Sequence, residues 1–179
     1  SAPLRHEFAI ALSMMGRTSE AIDALKEAIR LDPAEAEYHY KLALAWNETG
    51  RTDNSVPSLF KAVQLNPRHS RAWYNLGLAR NGMNQPEAAI AALLKAENVE
   101  QNDPDIPYAR ATILLRLRRI PEAIEAAQRA LEIQPNYNPA RALLQELGLI
   151  LRSALVTPAR HNLFQKAMSL GNSCQGSVF

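Results

Sequence analysis

Leu31-Asp32-Pro33, Leu65-Asn66-Pro67 and Ile133-Gln134-Pro135 are one short phrase written three times. Their prolines stand 34 and then 68 residues apart, so the chain carries a 34-residue period with one occurrence altered. An apolar residue, a short polar one and a proline close a helix, because proline can neither donate the next backbone hydrogen bond nor fit the preceding turn. Working outward, unit starts at Ala2, Ala36, Ser70 and Pro104 align four segments without insertion or deletion: 2–35, 36–69, 70–103 and 104–137. A degenerate fifth segment, 138–170, and a tail, 171–179, follow.

Small residues fix the phase. Ala9, Ala43, Gly77 and Ala111 hold the eighth place of each unit; Ala21, Ser55, Ala89 and Ala123 the twentieth; Ala28, Ala62, Ala96 and Ala130 the twenty-seventh. Helices approach closely only where side chains are short. Larger apolar residues recur between them at helical spacing, as in Phe8 with Leu12 and Ile22 with Leu25 and Ile29, which predicts two amphipathic helices per unit. Gly16-Arg17, Gly50-Arg51 and Asn84-Gln85 separate first from second helices. Pro86, Pro121 and Pro139 stand at predicted helix starts, where a missing N–H costs nothing. Pro107 is expected to delay the first helix of the fourth unit and displace Tyr108.

Trp73-x-x-Leu76-Gly77, followed by Ala89-x-x-x-Leu93 and Ala96, resembles the tetratricopeptide repeat (TPR) family, and the resemblance covers roughly residues 2–135 with a weaker extension into the fifth segment. It implies an all-α fold: a right-handed superhelical solenoid of antiparallel helix pairs, four repeats plus C-terminal capping helices. First helices would line a concave face. The helix from about Asn138 to Arg152 is apolar on more than one side, and a final helix from Thr157-Pro158, with Leu163, Phe164, Ala167 and Met168, is expected to cover it.

Composition agrees with a folded chain. Of 179 residues 47% are hydrophobic and 21% charged, and no apolar stretch reaches the roughly 20 residues that span a bilayer. A net charge of +2 does not point to nucleic acid. Cys174 is alone, which excludes an intrachain disulfide and a paired-cysteine metal site. The beginning Ser1-Ala2-Pro3 leaves the compartment open: a soluble chain, cytoplasmic or secreted and periplasmic after processing. His6, His39, His69 and His161 form no ligand pair at helical spacing, and no phosphate loop or nucleophile elbow occurs. The expectation is therefore no enzyme, and no catalytic, cofactor or metal site.

Family resemblance places the fifth and twelfth residues of each unit in the concave groove. His6, Tyr40, Tyr74 and Tyr108 hold the fifth place, Asn47 and Asn81 the twelfth. Tyrosines offer a broad apolar face with one hydroxyl, and amides both donate to and accept from a peptide backbone. The competing expectation is that the tyrosines pack between helices. Lys41, Arg71 and Asn75 are further groove candidates, with Glu37, Glu48 and Arg116 beside them. The carboxylate clamp of the family's co-chaperones would map onto His6, Ile10, Lys41, Arg71 and Asn75, but Ile10 supplies no amide. Arg80, Glu97 and Arg110 stand at apolar places and are expected to form an ion network between the third and fourth units. The function expected is a non-catalytic scaffold binding an extended peptide or helix of a protein partner. Two alternatives are end-to-end self-association into oligomers or filaments, and a substrate-recruiting fragment of a larger enzyme.

Overall fold

A computed structural model describes residues 1–155, with side chains described through residue 148. Among these residues there are helices and turns only. The helices are α1 (Ala2–Met14), α2 (Thr18–Leu31), α3 (Ala36–Glu48), α4 (Thr52–Leu65), α5 (Ser70–Gly82), α6 (Pro86–Val99), α7 (Asp105–Arg116), α8 (Ile120–Ile133) and α9 (Asn138–Leu155). Each packs on the helix before and after it, with lighter contact between α5 and α7 and between α7 and α9. That nearest-neighbour pattern makes an α-solenoid. The proposed final helix from Thr157, His161, the tail and Cys174 lie outside the described residues.

Two kinds of turn alternate. Gly16, Gly50, Asn84 and Arg118 follow α1, α3, α5 and α7 in the left-handed region, at φ of 73°, 72°, 58° and 61°. The residue after each donates its N–H five residues back, from Arg17 to Leu12, Arg51 to Trp46, Gln85 to Arg80 and Arg119 to Leu114, at 2.9 to 3.0 Å. This is the Schellman closure, which satisfies carbonyls that the helix end would otherwise strand. At the turns after the second helices, side chains of Asp32, Asn66 and Glu100 accept from the N–H two residues on, at 3.3, 3.1 and 3.1 Å. Polar residues are used there because they hold a turn locally.

The core follows the small residues. Ala21, Ala28, Ala43, Ala62, Ala89, Ala96, Ala111, Ala123 and Ala130 are all 0% exposed. Leu59, Leu76 and Leu93, also fully buried, fill the space between the crossings, each contributing about 1.5–3 kcal/mol by burial. At Gly77 the approach is closest. A Cβ there would stand 2.8 Å from Leu93 Cγ and 3.2 Å from the Ala89 carbonyl oxygen. Leu143 and Leu147 of α9 close onto Ala126, Ala127 and Ala130 of α8, extending the same core.

Two sequence expectations need correcting. Pro107 does not displace Tyr108. Helix α7 does begin one place later than α1, α3 and α5, at Asp105, with Asp103 Oδ1 accepting from its N–H at 3.0 Å, and Pro107 falls in the first turn, where the N–H it lacks would have had no helical partner. The ion network forms without Arg80. Glu97 Oε2 accepts from Arg110 Nη2 at 3.0 Å, with both side chains 14% exposed, and Glu97 Oε1 lies 3.8 Å from Arg129 Nε on α8. Arg80 turns instead toward the Ala88 carbonyl, 3.5 Å away, and the Phe60 ring, 6.0 Å away.

Two stability measurements test this packing. Gly77→Leu should lower unfolding free energy by roughly 3 kcal/mol in a urea titration, because the leucine must push α5 off α6; an unshifted midpoint would refute the close approach. Arg118→Gly should raise it by about 1 kcal/mol, since glycine takes the left-handed cap without steric cost. A loss of stability there would contradict the cap geometry.

Candidate functional site

Two clefts lie between consecutive first helices. One, of about 160 Å³, separates α1 from α3 and is lined by Ile10, Ser13, Met14, Lys41, Leu44 and Glu48. The other, of about 260 Å³, separates α3 from α5, with Asn47, Asn75, Leu78 and Gly82 on its walls and Thr52 at its edge. Ile10, Leu44 and Leu78 are 34 residues apart, so the first three units each set one aliphatic residue into this face, whereas the fourth has Thr112 at that place. Ile10 and Leu44 are half-buried and Leu78 is 40% exposed. Sequence reading passed over Leu44 and Leu78, although their spacing from Ile10 was the available signal.

The fifth-place rings stand behind this surface. Tyr40 is 7% exposed and sits in the core formed with Leu59, Leu76 and Ala79. Its ring lies 4.5 Å from that of His69, and its hydroxyl accepts from Asn75 Nδ2 at 3.2 Å. Tyr108 is half-buried and meets Tyr137, which stands two units along from His69, edge-on at 5.5 Å. Tyr74 is half-buried against the neighbouring core. His6 is held 5.1 Å from Tyr38, and its Nε2 is buried without a partner among the described residues.

His69 performs three tasks at once. Its Nδ1 accepts from the Ala72 N–H at 3.2 Å, capping α5. That acceptor role leaves the proton on Nε2, which donates to Glu37 Oε2 at 3.2 Å. Glu37 also pairs with Lys41 at 3.4 Å, so Lys41, Glu37 and His69 form one connected polar chain, and the ring contact of His69 with Tyr40 sets it beside the Tyr40–Asn75 hydrogen bond. Arg71 and Asn47 are exposed; Asn81 is half-buried and accepts from Arg116 Nη2. The candidates therefore divide. Lys41, Arg71 and Asn47 present polar groups at the surface, whereas Tyr40, Tyr74 and Tyr108 form packed walls.

Burial pushes the Tyr40 phenol above its ordinary value, with the Arg71 charge working against the push. Burial also raises Tyr74, helped by Asp105 and Asp103, and raises Tyr38, helped by Asp32 and Glu35. Tyr137 is raised furthest, first by burial and then by the hydrogen bond its hydroxyl donates to the Asp105 carboxylate. None of this creates a group poised for proton transfer near neutrality. Among the described residues no three His, Cys, Asp or Glu side chains converge as metal ligands. No described helix is long and apolar enough to cross a membrane.

Comparison with known proteins decides the family. A model described as TPR repeat matches residues 14–50, and one described as Tetratricopeptide repeat matches 55–107 and 74–138, together more than half of the chain. The chain belongs to the tetratricopeptide repeat family. As a TPR protein it is similar to a crystal structure of MamA, with a TM-score of 0.75 and 26% identity over 90% of this chain and 92% of that one. It is similar also to MamA from Desulfovibrio magneticus RS-1, with a TM-score of 0.74 and 24% identity over 98% and 97% of the two chains. YrrB, described as a TPR protein with an unusual peptide-binding site, has a TM-score of 0.60 and 16% identity over 81% and 92%. No curated protein matches. TPR proteins are in general interaction scaffolds rather than catalysts, and they take proteins or peptides as partners.

Alkaline titration tests the buried rings. Because Tyr38, Tyr40, Tyr74 and Tyr137 are harder to ionise folded than unfolded, their contribution to stability is fully present below about pH 10 and is lost as pH rises beyond it. Phenolate absorbance should therefore lag behind that of free tyrosine and rise together with loss of helical circular dichroism. Phenolate absorbance following the free-tyrosine curve while helicity stays constant would show these rings to be solvated.

Proposed function

We propose that the first-helix face of α1, α3 and α5 is a groove for a partner protein, taken up as an extended peptide or a helix. The observation that carries this reading is the open aliphatic stripe Ile10, Leu44 and Leu78, flanked by hydrogen-bonding side chains. Apolar anchors supply most binding energy in such a site, and polar rims align the ligand. Ser13 and Asn47 are placed to meet a peptide backbone, and Lys41 and Arg71 to meet ligand charge. Tyr40, Tyr74 and Tyr108 serve as the rigid floor, with His6 and Asn75 holding its edges and Asn81 tied to Arg116. YrrB, with its peptide-binding site on the same fold, is consistent with this use of a TPR surface.

A random peptide library displayed on phage, selected on the immobilised chain, supplies ligands for the test. Selected peptides should carry apolar anchors. Their affinity should fall at least about tenfold on Leu44→Glu, with helicity unchanged. Tyr40→Ala combined with Tyr74→Ala should weaken binding and also lower the melting temperature, because both rings support the fold. Peptides that bind the Leu44→Glu chain as tightly as the wild type would place the partner surface elsewhere.

A further inference from the structure

Met14, Glu48, Gly82 and Arg116 are the last residues of α1, α3, α5 and α7, and together they form one rim of the proposed groove. Met14 and Glu48 line the cleft between α1 and α3, and Gly82 lines the one between α3 and α5. Glu48 and Arg116, two units apart, carry opposite charges and are both exposed. Each is held by an uncharged group. Glu48 Oε2 accepts from the Thr18 hydroxyl at 3.3 Å, and Arg116 Nη2 donates to the Asn81 amide oxygen. Neither has an ion-pair partner among the described residues.

Other charges close by are cancelled. Arg17 pairs with Glu20, Arg119 with Glu87 and Glu122, and Lys41 with Glu37. A hydroxyl or an amide, by contrast, fixes where a charge sits without neutralising it. The second carboxylate oxygen of Glu48 and the remaining N–H groups of Arg116 are left for a ligand. Between the two on the rim stands Gly82, where an added Cβ would meet nothing within 4 Å, so the path from one charge to the other is clear.

The floor beside this rim suits an extended ligand. Asn47 is exposed, and Asn75 uses its Nδ2 on Tyr40 and keeps its amide oxygen clear of that bond. Such amides pair with the open N–H and C=O groups of an extended chain, whereas a helix has satisfied its own. Consecutive first helices stand about 10 Å apart, so two units span roughly 20 Å, which an extended chain at about 3.3 Å per residue crosses in about six residues.

We infer that the groove takes an extended peptide segment with a cationic side chain at Glu48 and a carboxylate at Arg116, about six residues apart, and an aliphatic residue between them in the Leu78 cleft. This rests on the groove reading above and adds the charge order of the ligand. Opposite charges at the two ends also fix which way the segment lies, because turning it end for end sets like charges together.

The test uses the full chain and peptides selected on it from the phage library, measured by fluorescence anisotropy. Selected sequences should share a Lys or Arg and an Asp or Glu about six residues apart. Arg116→Glu should weaken such a peptide by about fivefold or more, and changing the peptide's acid to lysine should restore affinity for that variant. Glu48→Lys should behave likewise, with rescue coming from the peptide's base changed to glutamate. Lys61→Glu, an equal change of net charge on the exposed side of α4, should leave affinity within about twofold. Loss of binding on Leu44→Glu, with both rim variants bound as tightly as wild type, removes the charge order and leaves the groove standing. Indifference to Leu44→Glu removes the groove, and this inference with it. Opposite charges about a dozen residues apart, the spacing a helix needs over the same span, also overturn it. So does an equal loss on Lys61→Glu.

Discussion

Everything in this solenoid depends on the distance at which neighbouring helices cross. Gly77 against Ala89 is the closest such crossing, and Ala43 with Ala62 and Ala111 with Ala123 are fully buried in shared clusters where short side chains let helices approach. Dispersion contacts fall steeply with separation, so one extra methylene at such a crossing is felt by every side chain around it. The large residues are consequences of this spacing. Leu59, Leu76 and Leu93 fit because the alanines have set the gap, and the ring pairs Tyr40–His69 and Tyr108–Tyr137 fill space beside them.

How much of this the sequence disclosed varied with the range of the interaction. The period, the small-residue crossings and the caps at Gly16, Gly50 and Asn84 were legible because each rests on a backbone constraint that few residue types satisfy. Arg118 was not legible by type, since arginine has no special affinity for a left-handed cap; only its position 34 residues beyond Asn84 gives it away. The Glu97 network was half legible. A buried carboxylate must find a cation, and Arg110 was foreseeable, but whether Arg80 or Arg129 completes the set depends on how two long side chains are deflected by Phe60 and α8.

The proposed groove was less legible for a physical reason. A fifth-place tyrosine can lie open or closed according to what the following unit places over it, and for Tyr40 that cover comes from His69 and Asn75, 29 and 35 residues away. The aliphatic stripe had the reverse problem. Leu44 and Leu78 look like core leucines, and only the location of the clefts separates them from Leu42 and Leu76 two places earlier. The sequence period assigns a residue to a helix face more securely than it decides how much of that face a neighbour covers.

The stripe Ile10, Leu44 and Leu78 has one more consequence, which concerns alignment. A surface generated by repetition looks nearly the same after a shift of one unit, so in the proposed groove aliphatic anchors alone would let a ligand slip, much as a strand slips in a featureless sheet. The residues beside the stripe do not repeat: the second place runs Pro3, Glu37, Arg71, Asp105 and the sixth runs Glu7, Lys41, Asn75, Ala109. Sign and polarity change at every step. In the proposed groove these non-repeating neighbours would give each unit a distinct address, so identity along the array is written in side chains that vary around a constant pattern of crossings.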